Sequence, residues 1–259
     1  MRKLFLVFLL SQLAMFSFGQ RVHTSKKEQK RKKINSIVKQ EEEGIIVYHH
    51  QFAFGAKFTN DGYGGFFEYG IAKSLKKSLL FQLEMTERKA AKEEKQSFAY
   101  TGISPIIYGK QNFVYPIKLG MQLQSVLGNK SNKNGVSVTA NYGGGLALAL
   151  IRPYELQTQS GGTTKYITYN SPDSSTFLNG PLSGGPSFGT GWNKSTVAPG
   201  VYAKTALRFD YGAYNEVVSA LECGLTAEFY GQKIPIMVHA PAHRFFFSAY
   251  ASIIFGKRR

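Results

Sequence analysis

The sequence has a single cysteine, Cys223, so no internal disulfide can staple it. It has no long hydrophobic run after residue 20. No stretch there approaches the roughly 18 to 20 apolar residues of a spanning helix, which excludes a helical membrane protein. Acidic side chains are scarce, 16 against 32 lysines and arginines, and the formal net charge is +16. A phosphate-binding loop is absent, because Gly143, Gly144 and Gly145 lie inside a strand-like stretch and not ahead of a helix. Pro241 separates His239 from His243 and breaks the helical spacing of a paired metal site. His49 and His50 are adjacent, so a strand would send them to opposite faces.

What is present is aromatic and glycine-rich: 14% Phe, Trp and Tyr, with 27 glycines, a composition suited to twisted strands and turns. The chain ends on Phe245, Phe247, Ala249, Ala251, Ile253 and Phe255, alternating with Phe246, Ser248, Tyr250, Ser252 and Ile254. An apolar, aromatic-ended strand of about ten residues has the form of a membrane-spanning β-strand.

The start is a separate module. Arg2 and Lys3, a short apolar run from Leu4 to Phe16, and the small residues at Ser17-Phe18-Gly19 read as a signal peptide over 1–19, with the cut before Gln20. Export makes nucleic acid the weakest partner for the basic excess and anionic lipid the strongest. Cys223 is not at the cut and reads as a small hydrophobe on an apolar strand face. Residues 20–43 contain Lys30-Arg31-Lys32-Lys33 and Glu41-Glu42-Glu43 with little apolar character, a basic periplasmic arm with no strand period.

From about residue 44 to 259 strands follow one another: 45–59, 65–73, 78–87, 112–127, 136–152, 200–211, 217–230 and the terminal stretch. Asn60-Asp61-Gly62 makes a tight turn. Connections after the second, fourth and sixth strands are short. Those after the third, fifth and seventh are long, and 157–198 is the longest, rich in Gly, Ser, Thr, Asn and Pro, with a small strand over 165–169. Short turns alternating with long loops are the pattern of outer-membrane barrels. The fold class expected is therefore all-β, an eight-stranded antiparallel up-and-down transmembrane β-barrel, with Lys257, Arg258 and Arg259 left in water.

One face of these strands is apolar. The other is crowded with small residues such as Ala53, Gly55, Gly70, Gly120, Gly145, Ala206 and Gly224, as a narrow lumen requires. Its long residues carry both signs: Lys57, Glu68, Glu84, Lys118, Lys204, Arg208, Asp210, Glu222 and Glu228. Charges in a low-dielectric lumen must be paired, and Lys204, Arg208 and Asp210 face Glu222 and Glu228 on the next strand, a salt-bridged plug. The sharper reading of the same residues is a proton or ion relay.

Phe58-Thr59-Asn60-Asp61-Gly62-Tyr63-Gly64, Tyr108-Gly109-Lys110-Gln111-Asn112, and Lys130 to Gly135 before a strand ending Ile151-Arg152-Pro153-Tyr154 resemble a family of outer-membrane β-barrel proteins of Bacteroidota, porin-like in architecture. The resemblance implies fold and location. It carries no catalytic residue, metal ligand or cofactor. The function expected is non-enzymatic, a structural or interaction barrel acting through its external loops. Its expected partners are outer-membrane lipid, including lipopolysaccharide phosphates, and the barrel assembly machinery through the C-terminal strand. The alternatives are a narrow channel; a surface lipid A-modifying enzyme or protease using His239, His243, Arg244 and Asp173; and, with the faces inverted, a periplasmic lipocalin-like carrier.

Overall fold

A computed structural model describes residues 48–259 apart from 75, 99–102, 131–134, 161, 171, 188 and 213–215. The signal peptide, the cut before Gln20 and the basic arm lie outside the described residues. In chain order the strands are β1 (His50–Thr59), β2 (Gly62–Ser74), β3 (Lys77–Arg88), β4 (Lys95–Phe98), β5 (Ile103–Ile107), β6 (Asn112–Gly128) and β7 (Ser137–Pro153). They continue as β8 (Leu156–Ser160), β9 (Thr163–Ile167), β10 (Leu182–Gly184), β11 (Thr196–Asp210), β12 (Val217–Ile234) and β13 (His243–Arg258). A helix, α1 (Ser174–Asn179), and a 3-10 turn at Trp192–Lys194 lie between β9 and β11.

The eight longest strands form one closed ring in the order β1, β2, β3, β6, β7, β11, β12, β13 and back to β1. Every neighbour is antiparallel and consecutive around the ring, an up-and-down barrel. Closure is made by the first and last strands, in register from Gln51 opposite Arg258 to Thr59 opposite Tyr250. Period-2 sequence drives this directly: along β1 every second residue is buried, Gln51, Ala53, Gly55 and Lys57, while Phe52, Phe54 and Phe58 stand outside. Cys223 is exposed on the outer face of β12.

Of the prolines in barrel strands, Pro153 ends β7, and Pro116 and Pro199 sit where ladders open. The β3 to β6 ladder skips Thr86 and Glu87, between Met85 opposite Ile117 and Arg88 opposite Val114, where Pro116 lies on β6, and the β11 to β12 ladder begins at Gly200, just after Pro199. A missing N–H costs nothing where no partner waits for it. Gly120 admits the barrel's interior packing in another way. A Cβ there would stand 2.6 Å from the Tyr202 hydroxyl and 2.4 Å from the Gly144 carbonyl oxygen, so only glycine lets that ring lie across the lumen wall.

The barrel has two unlike ends. The β2–β3, β6–β7 and β11–β12 turns share one end with Tyr48 and Arg259, hereafter the turn end. The opposite end carries the longer connections and forms a cap. The sequence reads 157–198 as irregular, but it holds a three-stranded sheet of β10, β8 and β9 together with α1, and the small strand runs Thr163–Ile167. The β3–β6 connection adds the β4–β5 hairpin. Ile106, Ile107, Tyr154, Leu156, Ile167 and Phe177 give the cap a core of its own. Short strands in Ser/Thr-rich sequence lack a long period, and burial against a neighbour organises them instead.

Three further expectations are corrected. The first strand begins at His50, and Tyr48 turns inward to bond Ser78 at 2.8 Å and Gln124 at 3.3 Å. Arg88, one residue beyond the expected third strand, ends β3 inside the barrel. Arg258 is buried, ion-paired with Asp210, and does not trail in water.

Candidate functional site

All nine charged residues named from the lumen face lie inside the barrel, none more than 4% exposed. They are joined there by Arg88, Asp61, Lys130 and Arg258, which the sequence reading missed because they sit at strand ends or in turns.

Toward the cap end, Arg88 bridges Asp61 at 2.7 Å and Glu228 at 3.0 Å. Glu228 also takes Lys118 at 2.8 Å and a bond from the Tyr230 hydroxyl at 2.6 Å. Lys118 reaches Glu84 at 2.8 Å, and Glu84 holds Lys57 at 2.8 and 2.9 Å. In the middle tier Arg208 sets two nitrogens on Glu68 at 2.8 and 2.7 Å, and its Nε on Glu222 at 2.8 Å. Glu222 accepts from Lys204, Asn141 and Tyr250 as well, at 3.0, 2.8 and 2.8 Å. Between the tiers the Tyr250 ring lies under two cations, with Lys57 at 3.9 Å and Lys204 at 5.0 Å from its centroid. At the turn end Arg258 and Lys130 both engage Asp210, and Arg258 also donates to Gln51.

The pairing differs from the simple facing of neighbouring strands. Glu228 pairs with Lys118 and Arg88 and not with β11, and Asp210 pairs with Arg258 and Lys130 and not with β12. Side chains this long span a narrow lumen, so partners lie on opposite walls. Alternation gives the face of a residue but not its partner across the ring. A buried charge is tolerated only with its partners in place, and each carboxylate of the network has at least one cation.

Above the charged tiers the lumen is apolar. Val114, Ala147, Ala149, Ile151, Ala198, Tyr202, Tyr230 and Ile234 pack together, with Ile236 and Phe246 against them. The cap connections are laced over this plug. Gln111 donates its amide to Ile236, Val238 to Gly109, and the Asn112 side chain reaches the Pro235 carbonyl at 2.8 Å. Lys110 is buried against Glu93, and burial pulls its ammonium below the usual lysine range while Glu93 resists. Burial likewise pushes the Tyr154 hydroxyl up to about 12, although the Ile107 amide that donates to it acts the other way. At the turn end the lumen opens into a cavity of about 390 Å³ lined by Arg208, Asp210 and Arg258 among others.

The barrel's outer surface has the reverse polarity. Phe54, Phe67, Leu83, Leu119, Leu146, Val201, Leu225 and Phe247 are exposed around the ring. At the rim toward the cap Arg152 is wedged among aromatic rings, 4.3 Å from Phe113 and 4.7 Å from Trp192. Tyr115 stacks on Trp192 at 5.7 Å, and Lys89 sits 4.6 Å over Tyr63. Aromatics and cations at the edge of an apolar band are what a membrane interface selects. This polarity overturns the inverted, lipocalin-like reading, in which the apolar face would line a cavity.

The candidate histidines lie against aromatic rings. His239 stacks on Tyr108 at 6.2 Å, His243 meets Phe246 edge-on at 6.5 Å, and Asp173 faces Lys165 at 3.7 Å. His50 stands on the outer face against the Tyr69 hydroxyl at 3.1 Å. Among the described residues no cluster of three metal-ligating side chains occurs, and no helix is long and apolar enough to cross a membrane.

No protein-family profile and no curated protein matches the sequence. Among solved structures the chain is similar to Neisserial surface protein A, at 10% identity over 82% of this chain and 97% of that one, with a TM-score of 0.39. It is also similar to Ail, the attachment invasion locus protein of Yersinia pestis, crystallised with the heparin analogue sucrose octasulfate. That match has 8% identity over 82% of this chain and all of that one, with a TM-score of 0.38. These likenesses carry no residue over.

Proposed function

We propose that the protein is an integral barrel of a bacterial outer membrane, exported by its N-terminal segment, with a non-enzymatic structural or interaction role carried by the cap. The observation behind this reading is the polarity of the wall: an ion-paired interior inside an apolar exterior of the kind that lipid covers. A cell envelope that offers both an apolar bilayer and a route for exported chains makes the outer membrane its place. With both described ends of the chain at the turn end, that end faces the periplasm and the cap faces outward. The cap has its own packed core, so it presents a shaped surface to whatever meets it.

Lys89 and Lys233, at the cap ends of β3 and β12, lie at the level where phosphates of surface lipid would stand, which supports lipopolysaccharide as the lipid partner. The C-terminal strand, alternating Phe245 to Phe255 outward, is the element offered to the assembly machinery. The apolar plug and the paired interior argue against conduction.

The test is an epitope tag inserted between Gly161 and Gly162, in the β8–β9 turn. Antibody labelling of intact cells is the expected result. A tagged protein recovered in the soluble periplasmic fraction would overturn the reading.

A further inference from the structure

We propose that the cavity at the turn end is a binding site for a small hydroxylated anion of the sugar-acid type. The cavity holds about 390 Å³, within the range of small-molecule sites, and the buried Arg208 is part of its floor. Arg208 is fixed in place by Glu68 and Glu222 behind it, so the floor is rigid. A polymer cannot thread past that floor, and a molecule of monosaccharide size can stand on it.

The lining has two chemistries. Ser78, Gln124, Ser137 and Thr139 line it; Ser78 and Gln124 are bonded to Tyr48, Gln124 to Thr139 and Ser137 to the Gly128 carbonyl, which leaves oxygen lone pairs and one carboxamide N–H for a ring of hydroxyls. Asp210, the cross-strand neighbour of Ser137, holds Arg258 beside it, and Lys73 stands exposed at the mouth with His49. The lining's one carboxylate is already shared, because Asp210 is held by both Arg258 and Lys130. An incoming anion therefore meets no uncompensated negative charge. Arg258 gives Nε to Gln51, one terminal nitrogen to Asp210 and the other to the Val217 carbonyl at only 3.4 Å. A guanidinium has five N–H donors, so donors remain for a carboxylate placed beside it. Ala72 and Val126 are the small apolar surfaces against which the less polar face of a sugar ring would rest.

The site needs none of the cap, and it is testable on the purified full chain in detergent micelles whichever way the barrel faces. Glucuronate titrated by calorimetry is expected to bind one site per chain, with glucose and inorganic phosphate each at least about tenfold weaker, since each supplies half of the recognition. Lys73→Glu should weaken glucuronate about tenfold by reversing the charge at the mouth. Ala72→Phe should abolish binding by filling the cavity, and it removes no polar partner. Both variants should keep the compact, heat-modifiable gel mobility of the folded barrel. Three results would overturn the proposal: no heat from glucuronate on the parent chain, unchanged binding in Ala72→Phe, or inorganic phosphate binding as tightly as glucuronate.

Discussion

Arg208 and Glu68 are 140 residues apart in the chain and meet across the barrel, two guanidinium nitrogens on two carboxylate oxygens at 2.8 and 2.7 Å. Each is almost wholly buried. Such a fork is geometrically demanding, and it ties β2 to β11 through the lumen as firmly as any ladder ties adjacent strands.

Removing one partner leaves the other as an uncompensated buried charge. Arg208→Leu should destabilise the barrel by about 3 to 5 kcal/mol. Replacing Glu68 by Gln and Arg208 by Leu together should cost less than the sum of the two single changes. Urea unfolding of the protein in lipid vesicles, followed by tyrosine fluorescence, reads both.

The exterior obeys the opposite rule. Leu146 is 65% exposed, opposite Leu119 and Val201 near the middle of the wall. Leu146→Arg should cost about 2 to 4 kcal/mol in a bilayer, whereas Tyr166→Arg in the cap should cost almost nothing. Equal effects at the two positions would show that the wall does not face lipid.

Conduction is a separate matter from insertion. With Tyr202, Tyr230 and Ile234 packed across the lumen and the charges below them paired, the reconstituted protein should leave a planar bilayer electrically silent. Discrete current steps from purified protein would contradict this.

Gly120 offers a test of packing alone. Gly120→Ala places a methyl against the Tyr202 hydroxyl and the Gly144 carbonyl, and the crowding should cost about 1 to 3 kcal/mol. Shortening the ring in the same chain, Tyr202→Leu, relieves only the contact with the hydroxyl, so recovery should be partial. Unfolding midpoints of the single and double variants measure this.

The lacing of the cap predicts a local effect. Glu93→Gln removes the charge that faces Lys110, buried at 0% exposure. The β3–β4 connection that carries Glu93 should then become open to added protease, while the barrel strands stay protected.

The wall of the barrel was legible because its signal is local. Phe245 to Phe255 alternate with Phe246 to Ile254 without a break, and pleating alone sends them to opposite faces. The interior was half legible. Lys118 and Glu228 could be assigned to the inner face by period, but their contact spans 110 residues, and nothing in either strand encodes the other's height on the ring. Arg258 was misread because Lys257-Arg258-Arg259 has the composition of a solvated tail, yet the last residue of a closing strand must still point somewhere, and here it points at Asp210. Beyond the small strand, the cap was missed because Leu156, Ile167 and Phe177 stand in short apolar pieces among Ser, Thr, Gln and Gly, too brief for a period and meaningful only once brought together.

The closing seam bears on the order in which this molecule can be made. β13 supplies Tyr250 to Glu222, Ser248 to Asp61, and Arg258 to both Asp210 and Gln51. Until that last strand arrives, Glu222, Asp61 and Asp210 each lack one of their donors and the sheet has two open edges. An incomplete chain would thus carry unsatisfied polar groups into hydrocarbon, where neither water nor a neighbour relieves them. Assembly is thereby weighted toward a single concerted event, with synthesis finished before the membrane is entered.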